Sequence, residues 1–217
     1  VPNIKLAEDL CSRADSDGIG RLCELLSTGS RAVQGDAIKV LYEIGARDPK
    51  LLAPHAELFL DAMNSRNNRL SWGSLSALAA IGTVNPGILF SNIKEILQAA
   101  DKGSVIAKDQ AVEILIKLKS HAKYSPFATE NLLERLQLAA VNQLPMYAER
   151  IALVLDAEDI GEFRSWHSMK HLQDQSETYR ERWSQKPPRL DRVLAVENRF
   201  ATEAGWHVSA RNGAYGR

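Results

Sequence analysis

The side chains in this sequence best suited to catalysis or metal binding are five histidines. They are His55, His121, His167, His171 and His207. Only His167 and His171 stand four residues apart, a spacing that puts two imidazoles on one helix face, as in some zinc sites. The residues between them are Ser-Met-Lys, without the glutamate of a zinc-protease motif, and no third ligand is evident. We therefore expect a solvated pair and no metal site.

Other catalytic patterns are missing as well. The glycines at 18 and 20 and at 213 and 216 lack the strand-then-helix setting of a phosphate-binding loop. No Gly-x-Ser-x-Gly nucleophile motif occurs. Glu158 and Asp159 are adjacent, so on a helix they point about 100 degrees apart and cannot share a substrate. The sequence predicts a protein that is not an enzyme and takes no cofactor.

The two cysteines, Cys11 and Cys23, match no zinc or redox spacing. Each follows a leucine on the apolar face of a predicted helix. Two buried thiols in a reducing compartment are therefore favoured over a disulfide. We accordingly expect a cytoplasmic location.

Composition and charge narrow the class of protein. Of 217 residues, 45% are hydrophobic and 25% are charged, which is ordinary for a globular domain. Lys plus Arg equal Asp plus Glu at 27 each, whereas a dedicated nucleic-acid binder usually has a basic excess. No apolar run approaches the roughly 20 residues of a membrane helix, so no membrane span is expected.

An internal sequence repeat of 37 residues predicts the helices that position these side chains. The first two copies align as Val33/Leu70, Ala37/Ser74, Ile38/Leu75, Leu41/Leu78, Ile44/Ile81 and Gly45/Gly82. A third copy has Ala107, Ala111, Val112, Leu115 and Leu118, and a weaker fourth has Leu144, Ala148, Ile151 and Leu155. The apolar spacing of three or four predicts a helix with one buried stripe in each copy.

Glycine and proline mark the ends of these helices. Gly45 and Gly82 follow the last apolar residue, where a left-handed C-cap favours glycine. Pro49 and Pro86 come four residues later and suit the first turn of the next helix. One period is thus predicted to be a helical hairpin.

Residues 30–45 resemble the second helix of a HEAT repeat. Val33, Ala37, Leu41 and Gly45 fit the family pattern of a branched apolar residue, alanine, leucine and a closing glycine. The first helix of a HEAT repeat has four similar segments in this chain, at residues 18–26, 50–63, 87–99 and 125–139. The resemblance covers about residues 15 to 156. It implies an all-α solenoid of about four helical hairpins, and no particular function.

The arginine that this family usually carries inside the second helix is replaced here by Gln34, Ser71 and Lys108. The resemblance therefore implies a weakened polar ladder between repeats.

Three segments are predicted. Residues 1–156 form the repeat domain, with residues 2–14 as an N-terminal cap helix. Residues 157–186 form a long polar helix with an aromatic stripe that caps the last hairpin or, alternatively, binds a partner. Residues 187–217 form a short helix and a loose tail. Another alternative, indicated by Val1 in place of Met, is that the chain is one piece of a longer array.

The resemblance implies that second helices line the concave side, where solenoids bind partners. Half a turn from the buried stripes lie the predicted partner-binding residues Lys39, Tyr42, Arg69, Trp72, Asp109, Glu113, Tyr147 and Arg150. Large aromatic residues facing solvent, as predicted for Tyr42 and Trp72, often anchor interfaces. The alternatives are that the C-terminal helix covers these two side chains, or that the predicted helix phase is off by one residue. We predict a scaffold that binds a protein or peptide there.

An alternative is a nucleic-acid-binding protein similar to the alkylpurine DNA glycosylases built from HEAT-like repeats. Trp72 and Asp109, on polar faces of successive second helices, are compatible with it. The zero net charge argues against it, because duplex binding needs several Lys or Arg contacts to phosphates.

Overall fold

The computed structural model of the chain describes residues 2–140, 142–156 and 159. Over these residues the fold is all-α, which confirms the predicted class, and no strand occurs in them. The helices are α1 Pro2–Arg13, α2 Ser16–Thr28, α3 Arg31–Arg47, α4 Ala56–Ala62, α5 Asn68–Ile81, α6 Pro86–Ser91, α7 Ile93–Lys102, α8 Val105–Lys119, α9 Ser125–Leu138 and α10 Leu144–Ala152. Two short 3-10 turns, Pro49–Leu51 and Ala53–His55, precede α4.

The chain divides into two compact units, one ending at Ala128 and one starting at Thr129. The predicted segments 157–186 and 187–217, with His167, His171 and the aromatic stripe, fall outside the described residues except for Asp159. Their boundaries stay predictions.

Within the first unit, α3, α5 and α8 each pack against the first helix of their own hairpin, and successive second helices pack against one another. The own-hairpin pairs are α2 with α3, α4 with α5 and α7 with α8. Across hairpins, α1 packs on α3, α3 on α5 and α5 on α8. The helix predicted over residues 2–14 is α1, and it lies against α3.

The 37-residue offset reappears in the start of each second helix. Ser30, Asn67 and Ser104 directly precede α3, α5 and α8. The hydroxyls of Ser30 and Ser104 each accept a hydrogen bond from the backbone N–H three residues on, at 3.4 Å, and so satisfy one free N–H of the first turn. Asn67 makes no such capping bond. Its amide instead donates to Gln34 Oε1 at 3.1 Å, which joins the first two hairpins.

The first helices are broken at equivalent positions, which the sequence pattern does not predict. A continuous helix is expected over residues 50–63 and 87–99, but α4 starts only at Ala56 and α7 only at Ile93, again 37 residues apart. In the first copy Pro54 has no N–H to extend a helix. In the second, the side chain of Asn92 donates to the carbonyl of Ile88 at 2.9 Å and replaces the backbone bond there.

The predicted left-handed conformation of Gly45 and Gly82 is wrong. Gly45 lies inside α3, and Gly82 has φ −54° and ψ −23°, which is right-handed. Both are glycine because another chain segment lies too close for a side chain. A Cβ on Gly45 would stand 3.0 Å from Leu52 Cδ1, and one on Gly82 would stand 2.6 Å from Leu89 Cδ1. These two leucines are themselves equivalent in the repeat and fully buried.

The core follows the predicted stripes with one exception, Val33 near the start of α3, which was predicted to be buried and is 40% exposed. Leu41, Leu78 and Leu115 occupy the same position in successive hairpins, and all are fully buried. The mid-helix small residues are also buried, and the hydroxyl of Ser74 donates to the carbonyl of Leu70 at 2.8 Å. Small side chains here let neighbouring helices approach closely.

Gln34 and Ser71, 37 residues apart, each make a polar link within one of the first two hairpins. The Gln34 amide donates to the carbonyl of Leu26 at 2.9 Å, and the Ser71 hydroxyl donates to the carbonyl of Met63 at 2.6 Å. Both bonds tie the second helix to the end of the first helix of its own hairpin. At the third copy, Lys108 is exposed.

Candidate functional site

The outward side of α3 and α5 carries an aromatic pair. The rings of Tyr42 and Trp72 lie with centroids 5.5 Å apart and planes tilted by 47°, a favourable geometry for two aromatic rings. Both side chains are half-buried. We call Lys39, Tyr42 and Trp72 the aromatic face.

Ion pairs hold the α3 side of the aromatic face. Lys39 Nζ lies 4.6 Å from the centre of the Tyr42 ring and 2.6 Å from Glu43 Oε1. Arg47 pairs with Glu43 at 2.8 Å and reaches Glu8 on α1 at 3.2 Å. The chain of charges therefore fixes Tyr42 from one side and links α1 to α3.

The same contacts shift the protonation equilibria of this cluster. Hydrogen bonds with Glu43 and then with Tyr42 raise the pKa of Lys39. Hydrogen bonds from Lys39 and then from Arg47 lower the pKa of Glu43. Lys39 and Glu43 are therefore both charged at neutral pH.

One helical turn beyond the aromatic face, a cleft of about 390 Å³ opens between α3, α5 and α8. Its polar lining includes Ser76, Gln110, Glu113 and Lys117. Glu113 and Lys117 form an ion pair at 3.1 Å, and the apolar lining comes from small residues such as Ala79. We call this the central cleft. It offers hydrogen-bond donors and acceptors next to two aromatic rings.

Of the predicted partner-binding residues, Lys39, Tyr42 and Trp72 are brought together, and Glu113 lines the central cleft. Arg69 is exposed but lies in a different cleft, near Arg31. Asp109 is half-buried near the start of α8.

The orientation predicted for Tyr147 is wrong. Tyr147 is 3% exposed, and its hydroxyl accepts a hydrogen bond from Gln143 Nε2 at 2.9 Å in the interior of the second unit. It belongs to the buried stripe of α10, which runs through Leu144, Ala148 and Ile151. The buried stripe of a helix is about 100° wide and includes the residue three positions after its first member, which here is Tyr147 after Leu144. The predicted helix phase was off by one residue, and it therefore placed Tyr147 on the outward side. Arg150, on the same helix, is half-buried.

The sequence reasoning missed the part played by Glu43 and Arg47. Their signal is present in the sequence, since Lys39, Glu43 and Arg47 recur every four residues and such charges meet on a helix. The link to Glu8 has no such signal, because it depends on where α1 packs.

Two histidines, His55 and His121, lie among the described residues. His55 directly precedes α4, and its side chain makes no capping hydrogen bond. The His121 ring lies 6.2 Å from that of Tyr124. No three His, Cys, Asp or Glu side chains of the described part of the chain stand close enough to hold a metal ion.

Asp159 has a structural role. It accepts hydrogen bonds from the Thr129 hydroxyl and from the Asp156 backbone N–H, both at 3.4 Å. Its neighbour Glu158 lies outside the described residues.

Over the residues described, none of the helices is both long enough and apolar enough to cross a membrane. In comparisons with known proteins, no family model, no curated protein and no solved structure matches this chain.

Proposed function

We propose that this protein is a non-catalytic scaffold, built as a HEAT-like α-solenoid, that binds a protein or peptide partner on the aromatic face and the central cleft. The observation that carries the proposal is the Tyr42–Trp72 pair, half-buried and one turn from a polar cleft. Aromatic side chains that are already packed lose little conformational freedom on binding, which favours them as interface anchors.

The helix contacts support the solenoid part of the proposal. Packing of α1 on α3, α3 on α5 and α5 on α8 is what a row of hairpins requires, since each hairpin hides its apolar side on the next. The recurrence of second-helix starts, helix breaks and close glycine contacts every 37 residues favours one repeated unit.

The charges of this surface favour a protein partner over a nucleic acid. Its cations Lys39 and Lys117 each pair with a carboxylate four residues away. Phosphate binding relies on cations that are free to replace counterions. The free thiols Cys11 and Cys23 fit a reducing compartment, so we also propose a cytoplasmic location.

The experiment uses the full chain as bait in a quantitative affinity capture from cell extract. A double variant, Tyr42→Ala with Trp72→Ala, removes the aromatic pair. The matched control is Phe90→Ala with Tyr124→Ala, which removes a second aromatic pair of the first unit, stacked at 4.5 Å.

Each captured protein is then purified and its affinity for the three chains is measured by calorimetry. We expect at least one partner whose binding falls tenfold or more in the first variant only. If the two double variants behave alike while circular dichroism shows both folded, the aromatic face is not the binding site.

A further inference from the structure

The N-terminal edge of α3 and α5 carries two clefts lined by cations. The first, of about 570 Å³, includes Arg31 and Arg69. The second, of about 260 Å³, includes Arg66 and Lys102. Asn68 lines both clefts, which makes them neighbours. We call the four cations the basic edge.

No carboxylate among the described residues lines either cleft. None of the four cations forms an ion pair within the part of the chain that the structure describes. In the aromatic face and the central cleft, by contrast, Lys39 and Lys117 are both paired. Like charges gathered without counter-charges repel one another, and an anionic ligand relieves that repulsion.

The backbone of α3 is shaped to seat one of these cations. Gly35 is buried, and a Cβ placed on it would stand 3.1 Å from Arg69 Cδ and 3.5 Å from Arg69 Nε. The Arg69 side chain therefore lies across α3 at Gly35, where no side chain of α3 stands in its way. This packing holds the guanidinium beside the cleft that Arg31 also lines.

The neutral lining favours a polypeptide ligand. Asn64 and Asn68 present exposed side-chain amides in the clefts, and an amide both donates and accepts hydrogen bonds. That matches a peptide backbone, whereas a phosphodiester offers acceptors only. Three of the four cations are arginines, whose planar fork matches a carboxylate.

We propose that the basic edge binds an acidic peptide segment of a partner protein, with carboxylates at Arg31 and Arg69 in one cleft and at Arg66 and Lys102 in the next. This surface shares no residue with the aromatic face or the central cleft, so the inference goes beyond the proposed function and stands or falls separately.

The test measures fluorescence anisotropy of a labelled Glu-Gly-Ser repeat peptide with the full chain. The variant replaces the basic edge by Arg31→Ala, Arg66→Ala, Arg69→Ala and Lys102→Ala. The charge-matched control replaces the exposed cations Lys5, Arg21, Lys50 and Lys94 by alanine. Competitors are the Gln-Gly-Ser peptide, inorganic phosphate and single-stranded oligothymidine.

We expect the basic-edge variant to weaken binding about tenfold or more, as the loss of several exposed ion pairs implies, and the control by less than about twofold. Added salt should weaken binding of the native chain. Undetectable binding, equal loss in both variants, or oligothymidine binding to the basic edge more tightly than the peptide would each overturn the proposal. The Tyr42→Ala with Trp72→Ala variant should bind this peptide normally, which separates the outcome from that of the proposed function.

Discussion

Replacing Gly73 by alanine tests how tightly the first two hairpins pack. Gly73 is buried in the middle of α5, and a Cβ there would stand 2.6 Å from Ile38 Cγ1 and 3.3 Å from Ile38 Cγ2. Ile38 is fully buried on α3. Because isoleucine is branched at Cβ, its χ1 has one strongly preferred rotamer in a helix, so Ile38 cannot turn away at small cost.

Two effects of opposite sign set the magnitude. Alanine in a helix interior gains about 1 kcal/mol over glycine, whereas overpacking a core costs about 1 to 3 kcal/mol. The contact in this case involves the inner carbon of a stiff side chain, so we place the cost near the upper end. The net expectation is a loss of about 1 to 2 kcal/mol in the free energy of unfolding.

A double-mutant cycle isolates the clash. Ile38→Ala removes both γ carbons and by itself should cost about 2 to 5 kcal/mol. In that background, Gly73→Ala should become neutral or stabilising by up to about 1 kcal/mol. Gly20, in α2, is the matched control, because a Cβ on it meets nothing within 4 Å. Gly20→Ala should stabilise by about 0.5 to 1 kcal/mol.

Urea denaturation followed by far-UV circular dichroism measures all five chains. The reasoning is refuted if Gly73→Ala destabilises equally with Ile38 present and absent, or if it stabilises the native chain as much as Gly20→Ala does.

Three further predictions concern single polar groups. Ser71→Ala should lower the free energy of unfolding by about 1 to 3 kcal/mol, because it leaves the carbonyl of Met63 without its buried partner; urea denaturation measures this. Glu43→Gln should make the free energy of unfolding less dependent on pH in the acid range. The pKa of Glu43 is lowered in the folded protein, so its ion pairs add stability that is present above the ordinary pKa of glutamate and is lost as the pH falls through the lowered pKa. Thermal melting across acid pH measures this. Burial raises the pKa of Cys23 from 9.0 to about 11. Its thiol should therefore react slowly with iodoacetamide in the folded protein, which mass spectrometry of the alkylated chain measures. The contribution of Cys23 to the free energy of unfolding should fall as pH rises from about 9 to about 11, because the thiol ionises first in the unfolded chain.

Each of these has a control in the same chain. Ser76→Ala removes a hydroxyl bonded only to its own helix, at Trp72 O, and should cost less than Ser71→Ala; an equal cost would contradict the role given to Ser71. Glu57→Gln, at an exposed position on α4, is the control for Glu43→Gln. If melting temperature depends on acid pH identically in the two variants, the ion pairs of Glu43 do not contribute to stability. Equal alkylation rates for Cys23 in folded and urea-unfolded protein would contradict its burial.

The all-α class follows from the sequence alone. The apolar spacing in each copy leaves one face to bury, and Ser30 and Ser104 cap the helices that the pattern predicts. Such signals are local, because they depend on residues within one or two turns of each other.

Only the tertiary structure decides what lies between helices. Gly45 and Gly82 stand at equivalent positions of the sequence repeat, but what requires glycine there is the close approach of the Leu52 and Leu89 side chains. Helical periodicity carries no information about the distance between a helix and the segment that packs on it. The burial of Tyr147 likewise depends on the width of a packed stripe.

The candidate sites divide in the same way. Pairing of Lys39 with Glu43 is set by a spacing of four within one helix, whereas Tyr42 meets Trp72, and Arg69 lies over Gly35, only because α3 packs against α5. Contacts between residues far apart in the chain depend on how helices are placed side by side, and the sequence states which faces pack without stating which side chains will touch.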